Sequence, residues 1–351
     1  TDVSAVSTDG SSLTPSTGSS TGTEMLKIPK KPEATETDPF TSPAATSSYV
    51  LGKLNTTTGQ PILKDFPLSI KLKLLNFLGY STSLDATVLP TSLTTSDAPY
   101  LSMGGSIHSA PVQLTYSGTM DSSGNLTDAR DQSILFGTME GGLHIVDASS
   151  GEEQMVFVPA EILNHPIKSK ALVPGQTDAS APVHGVDGAW VSDATYKVDS
   201  EAGANNTTVT KVLARRMNVY GGLRMGGTSY YGLDVLAPKN PKLLFRIDPS
   251  TTGFERLGQS WSKPVMANIR YNGAITRVMI VGGGYDACYE DPNFTLASTS
   301  GNGATCATTS EAKGNAVYIV NAQTGDLIWS ATYASTATDG RQYMKHSIVS
   351  R

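Results

Sequence analysis

Four short runs rich in alternating apolar and β-branched residues follow one another from position 107: Ile107 to Leu114, Ser133 to Thr138, Gly142 to Asp147, and Gln154 to Val158. Turn-forming residues separate them, and Ala148-Ser149-Ser150-Gly151 joins the last two, so the stretch predicts a four-stranded antiparallel meander. The same order returns as Gly188 to Val191, Val212 to Tyr220, Tyr230 to Val235, and Lys242 to Ile247. It returns again as Pro264 to Ala267, Arg277 to Val281, Val317 to Asn321, and Asp326 to Trp329. Comparable positions in the third runs, Asp147, Asp234 and Asn321, stand 87 residues apart at each step, which is the mark of a repeat architecture.

Each unit carries one short hairpin, closed by Ser149-Ser150-Gly151, Pro238-Lys239-Asn240-Pro241 or Gln323-Thr324-Gly325, as expected where the outer strands of a propeller blade turn back at the rim. The fold class is therefore read as all-β, a β-propeller of four-stranded antiparallel blades, with three blades plus one strand in this chain. The extra strand is Met344 to Arg351, where His346-Ser347 stands as His108-Ser109 does in the first unit. Three blades and a strand leave open edges, so the functional protein is expected to continue past Arg351. A period of 87 exceeds the roughly 40 to 50 residues of a compact blade, and the surplus is expected in surface loops.

The flanks read differently. Thr1 to Ser48 holds 20 Ser or Thr, five Pro and one aromatic, Phe40, too little apolar surface to offset ordering the backbone; residues 1–48 are taken as a disordered linker. Residues 49–102 form a lead-in segment. Within it Ile70, Leu72 and Leu74 alternate with polar neighbours like a strand, yet Leu74-Leu75-Asn76-Phe77-Leu78 suits a helix equally. Residues 103–351 are the partial propeller.

Composition narrows the function. The 26 Lys and Arg against 31 Asp and Glu give a net charge of −5 with no basic block, so no nucleic-acid partner is expected. Charged residues make up only 16% and glycines number 34, which favours short strands and tight turns over helical bundles. No apolar run approaches the roughly 20 residues that span a bilayer, and the first residues lack signal-peptide character. The only two cysteines, Cys288 and Cys306, flank a polar, Gly-rich stretch. That suits a disulfide closing a loop over about 286–313 in an oxidising compartment, the alternative being two free thiols.

Candidate chemical motifs are sparse. Gly221-Gly222-Leu223-Arg224-Met225-Gly226-Gly227-Thr228 lacks a phosphate-reaching Lys and opens a strand rather than a helix, so it reads as a turn. Asp121-Ser122-Ser123-Gly124-Asn125, continuing to Asp128 and Asp131, offers oxygen ligands, but its glycine falls at the fourth position where a calcium loop needs the sixth; a hairpin turn is expected. Asp286, Glu290 and Asp291 beside Cys288 read as a solvated loop. The histidines His108, His144, His165, His184 and His346 show no metal-ligand or nucleophile spacing. Asp187 and Asp193, which bracket Trp190-Val191, read as turn-formers bonding nearby backbone N–H groups. No catalytic, cofactor-binding or metal-ligating residue is assigned in this chain, and no enzymatic activity is expected.

Six strings acquire meaning together. Gly105-Ser106-Ile107-His108-Ser109-Ala110-Pro111-Val112, Gly141-Gly142-Leu143-His144-Ile145-Val146-Asp147, Val186-Asp187-Gly188-Ala189, Tyr231-Gly232-Leu233-Asp234-Val235, Trp261-Ser262-Lys263-Pro264-Val265 and Gly282-Gly283-Gly284-Tyr285-Asp286 occur in this order. They resemble the C-terminal propeller of the PilY/PilC family of type IV pilus proteins over roughly Met103 to Arg351. The resemblance implies a large secreted protein of a Gram-negative bacterium, found at the pilus tip, outer membrane surface and periplasm. It implies support for pilus extension, attachment and twitching motility, with minor pilins and host cell surfaces as partners. It also implies a calcium loop in the full-length protein, placed after Arg351, so no metal ligand is carried onto this chain. Two other readings are a quinoprotein-type dehydrogenase, suggested by the outer hairpin near Val320 to Trp329, and a generic surface-binding propeller.

Overall fold

The computed structural model describes residues 68–77, 83–87, 104–163, 165, 167–172, 184–202, 208–239, 241–291, 294, 296 and 312–349, with two paired dipeptides at 5–6 and 13–14. Apart from those dipeptides, the linker assigned to residues 1–48 lies outside the described residues, as does most of the lead-in. So does Cys306.

Three four-stranded antiparallel blades of a β-propeller follow in chain order. The first consists of β1 (Val112–Met120), β2 (Leu126–Gly137), β3 (Leu143–Asp147) and β4 (Glu153–Phe157). The second consists of β5 (Trp190–Ala202), β6 (Thr208–Gly222), β7 (Tyr230–Asp234) and β8 (Lys242–Ile247). The third consists of β9 (Val265–Tyr271), β10 (Ala274–Gly282), β11 (Ala316–Asn321) and β12 (Leu327–Thr332). Within each blade every strand pairs with the next in sequence.

The 87-residue spacing has a physical cause at the rim. Asp147, Asp234 and Asn321 each end the third strand, and each side-chain oxygen accepts the N–H two residues on, from Ser149, Leu236 and Gln323. In the first and third blades a glycine completes the turn, Gly151 at φ 75° and Gly325 at φ 76°, donating its N–H to the carbonyl of the capping residue. Left-handed backbone of this kind favours glycine. The second blade meets the same need with Pro238 and Pro241 instead.

The surplus length of each unit is only partly loop, which corrects the expectation above. β5 and β6 run 13 and 15 residues and pair over their whole length, from Trp190↔Gly221 to Ala202↔Thr208. Their outer half also binds the first blade, Ser117 to Met120 pairing with Leu213 to Thr210. The first strands begin later than the pattern predicts, at Val112 and Trp190, because the preceding residues pack against the neighbouring blade instead of joining a ladder.

Between the second and third blades, Tyr220, Tyr230 and Phe245 meet Met279, Tyr318 and Val320, all buried. Each such side chain removed from water is worth about 1.5–3 kcal/mol. One buried carboxylate ties the same two blades: Asp193 on β5 receives Arg216 at 2.9 Å from its own blade and Arg277 at 2.6 Å from β10.

A separate compact unit includes the described residues 68–77, 139–141, 158–163 and 167–172. It settles the open reading of residues 70–78: Leu68–Phe77 is an α-helix, α1. Leu72 is buried, the Asn76 amide bonds the Leu72 carbonyl four residues back, and Lys73 donates to Ser169. Phe77 packs with Leu163 and Leu172.

One register rule unites the blades. The last residue of each second strand is a glycine, Gly137, Gly222 or Gly282, and the segment approaching the next blade crosses directly over it. A Cβ at these glycines would lie 2.1 Å from the Val186 carbonyl oxygen, 2.7 Å from that of Ser260 and 2.3 Å from that of Ile348. The crossing residues are held alike, with N–H groups donating to Thr138, Gly227 and Gly314. Ile348 thus occupies the place of Val186 and Ser260, and residues 344–349 form no strand. Ile107 is then the matching residue of the first blade, so the His346-Ser347 alignment with His108-Ser109 is out of register by three. Gly137→Ala is expected to cost about 3 kcal/mol because backbone, not a movable side chain, stands in the way; urea unfolding of the variant measures it.

Candidate functional site

Because the approach segments share a register, the residue after each crossing residue falls at the same place on successive blades. Ser109 Oγ accepts the Gly137 N–H at 2.8 Å, and Ser262 Oγ accepts the Gly282 N–H at 3.0 Å, so His108, Asp187 and Trp261 are equivalent positions. They lie 79 and 74 residues apart in sequence. The fold places them side by side, and they form the candidate site.

Asp187 is its centre, with only 1% of the residue exposed. Its carboxylate accepts the His108 backbone N–H at 3.1 Å and sits 2.8 Å from the His108 Nδ1. Arg224 Nη1 donates to the same carboxylate at 3.0 Å. The His108 Nδ1 also stands 3.0 Å from Arg224 Nη1. A guanidinium has no acceptor, so a proton on Nδ1 can be donated only to Asp187. The His108 side chain is half exposed.

Arg224 comes from the Gly-rich segment between β6 and β7, which bears out the turn reading: Arg224–Gly226 is a single 3₁₀ turn. Its backbone is left-handed, φ 53°, a conformation that costs a residue with a side chain about 1–3 kcal/mol unless its surroundings enforce it. Three contacts do so. The N–H donates to Ser260 O at 3.2 Å, the guanidinium holds Asp187, and its carbon lies 4.0 Å from the centre of the Trp261 ring. A guanidinium over an indole face is held by the ring quadrupole. Trp261 is fixed in turn by its Nε1 donating to Gln259 at 3.0 Å and by Tyr285 at 4.6 Å between ring centres. Burial, then a hydrogen bond to Glu290 and the negative charges of Glu290 and Asp286, push the Tyr285 phenol up to about 12.

Asp187 and Asp193 are thus not turn-formers, as their spacing had predicted. Both accept from partners distant in sequence, because the strands around them bring arginines from neighbouring segments. Arg224 was missed as a site residue; its flanking glycines were the available signal, since they let the turn form and leave one arginine in the left-handed position.

The other singled-out residues stand apart. His144 is buried, its Nδ1 2.9 Å from Glu153, its Nε2 3.1 Å from Thr138 and its ring stacked on Phe136, a structural role. His165 accepts from the Ile167 and Lys168 N–H groups. The Asp121 carboxylate accepts from the N–H groups of Ser123 and Asn125, closing a hairpin as expected, and these bonds hold it below the usual carboxylate range. Asp286 accepts from the N–H groups of Cys288 and Lys313, and Cys288 is buried beside Leu296 and Ala312. Tyr289 of the same turn donates to Lys345 O at 2.7 Å, joining this loop to the segment that carries Ile348.

No family model matches the chain. Two curated proteins do. A type IV pilus biogenesis factor PilY1 homolog of Xylella fastidiosa is 31% identical over 134 residues, 38% of this chain and 9% of that protein. The type IV pilus biogenesis factor PilY1 of Pseudomonas aeruginosa is 28% identical over 197 residues, 52% of this chain and 15% of that protein. The similarity is to PilY1. It bears out the PilY/PilC resemblance carried by the six strings, within the limit that the chain spans less than a sixth of either relative. A crystal structure of the P. aeruginosa PilY1 C-terminal domain is also similar, at 21% identity and a TM-score of 0.33, over 59% of this chain and 31% of that one. Among the described residues no helix is long and apolar enough to cross a membrane.

Proposed function

We propose that this chain is the blade-bearing part of a non-enzymatic type IV pilus biogenesis factor. The observation that carries the reading is the coincidence of the PilY1-like strings with the parts of the blades that hold them together. Ile107-His108-Ser109, Val186-Asp187-Gly188 and the segment before Lys263 are the approach segments, and Gly282-Gly283-Gly284 is one of the crossings. In the finer reading the protein acts at the pilus tip, the outer membrane surface and the periplasm. There it binds minor pilins, supports pilus extension and twitching motility, and attaches to host surfaces as an adhesin. The His108, Asp187, Arg224 and Trp261 cluster serves as a clamp that fixes the relative placement of three blades and so keeps the partner-binding surface rigid. A Cys288–Cys306 disulfide belongs to this reading, as does calcium bound by a loop beyond Arg351.

The test is co-purification of tagged minor pilins with the full-length protein, wild type and lacking residues 103–351, alongside twitching zones of strains carrying each. Retention of minor pilins by the wild type alone, with twitching lost on deletion, is the expected result. Equal retention by both, or twitching unaffected by the deletion, overturns it.

A further inference from the structure

The outer half of β5 has one edge with no partner among the described strands, since β5 pairs only with β6. A strand edge of this kind presents a row of N–H and C=O groups ready to pair with another chain. Proteins commonly blunt such edges with proline, a bulge or charged side chains, lysine especially. From Tyr196 to Ser200 the sequence Tyr-Lys-Val-Asp-Ser has no proline, and its one lysine is matched by an aspartate two residues on, so a second copy of the strand would meet each charge with its opposite. The one register shift of the β5–β6 ladder lies before this stretch, between Thr195 and Tyr196. Val198 is 65% exposed and Tyr196 47%.

The charges and the apolar residues are arranged symmetrically about Val198. In an antiparallel pair centred on that residue, Val198 faces its own copy, Lys197 faces Asp199 and Asp199 faces Lys197. Lys197 and Asp199 already pair within the strand, so two copies would form a closed square of alternating charge on one face. On the other face Val198 pairs with Val212 of β6, and two copies would join these into one apolar strip. Opposite charges and β-branched residues directly across a strand pair are both favourable. A two-fold axis through Val198 makes the contact isologous and self-limiting.

We propose that the Tyr196–Ser200 edge of β5 pairs antiparallel with the same edge of a second copy of this chain. The contact is small, so the dimer is a weak, concentration-dependent one. Sedimentation velocity of the full chain from about 1 to about 300 µM is expected to show monomer passing to dimer. Lys197→Asp alone sets like charges across the pair twice and is expected to weaken the dimer about tenfold. Asp199→Lys does the same. The double variant Lys197→Asp/Asp199→Lys restores the square and is expected to return association to within about threefold of wild type. Since these are half-exposed surface changes, the double variant also shows that the single losses are not failures to fold. Monomer at every concentration, single variants that dimerise as wild type does, or a double variant as weak as either single one overturns the proposal.

Discussion

Asp187→Ala is expected to lower the unfolding free energy by about 3 kcal/mol, the range measured when one partner of a buried ion pair is removed. The carboxylate accepts from the His108 N–H, the His108 ring and the Arg224 guanidinium at once. Its loss strands a cation that is only 21% exposed, on a residue whose backbone is already left-handed. Arg224→Ala should cost less, because Asp187 keeps two bonds from His108 and the strained position still carries a side chain. The double variant Asp187→Ala/Arg224→Ala is expected to be more stable than the sum of the single losses implies, since the stranded cation is gone. Urea unfolding of the wild type, both single variants and the double variant closes the cycle. Strict additivity would mean that the carboxylate and the guanidinium do not stabilise each other.

That outcome bears on how much of the molecule is legible in its sequence. The third strands were, because Asp147, Asp234 and Asn321 do a local job, each capping its own hairpin, and a local job leaves a local signature at constant spacing. The outer hairpins were legible for the same reason. The outer extensions of β2 and β5 were not, since Leu126 to Arg130 is largely exposed and polar beyond its leucine, and Thr195 to Ser200 alternates over only two apolar positions, Tyr196 and Val198, too few to mark a strand. The fourth approach segment was visible but misplaced by three residues. There the likeness of His346-Ser347 to His108-Ser109 outweighed the weaker regularity that matters, a residue whose carbonyl crosses a glycine. The site was the least legible part. His108, Asp187, Arg224 and Trp261 are ordinary residues individually, and only the shared register of the blades gives them common neighbours. Nothing nearby in the chain distinguishes an aspartate that will cap its own turn from one that will hold an arginine 37 residues away.

Alkaline pH is expected to unfold the propeller cooperatively between about pH 11 and 13, and the cause is the tyrosine content of its core. Tyr220, Tyr230 and Tyr318 are no more than 1% exposed and Tyr116 is 9% exposed. Burial raises all four phenols, Tyr220 to about 12 and the other three further. Tyr230 donates its hydroxyl hydrogen to the Ser262 carbonyl, a bond available only to the neutral form. In the unfolded chain each phenol ionises near pH 10. A group whose pKa is raised by folding contributes its full stability below the unfolded value and loses it as pH rises toward the folded one, so nothing changes below about pH 10. Above it the folded state holds up to four more protons than the unfolded chain, each worth about 1.4 kcal/mol per pH unit. Together they remove about 5 kcal/mol per unit, enough to exhaust a typical domain stability of about 5–15 kcal/mol within one to three units. Tyrosinate absorbance near 295 nm, followed with near-ultraviolet circular dichroism, checks this. The exposed tyrosines should titrate smoothly and the buried ones in a single step that coincides with loss of the dichroism. A gradual titration of all fourteen tyrosines around pH 10 with the dichroism intact would show that the phenols between the blades are in contact with water.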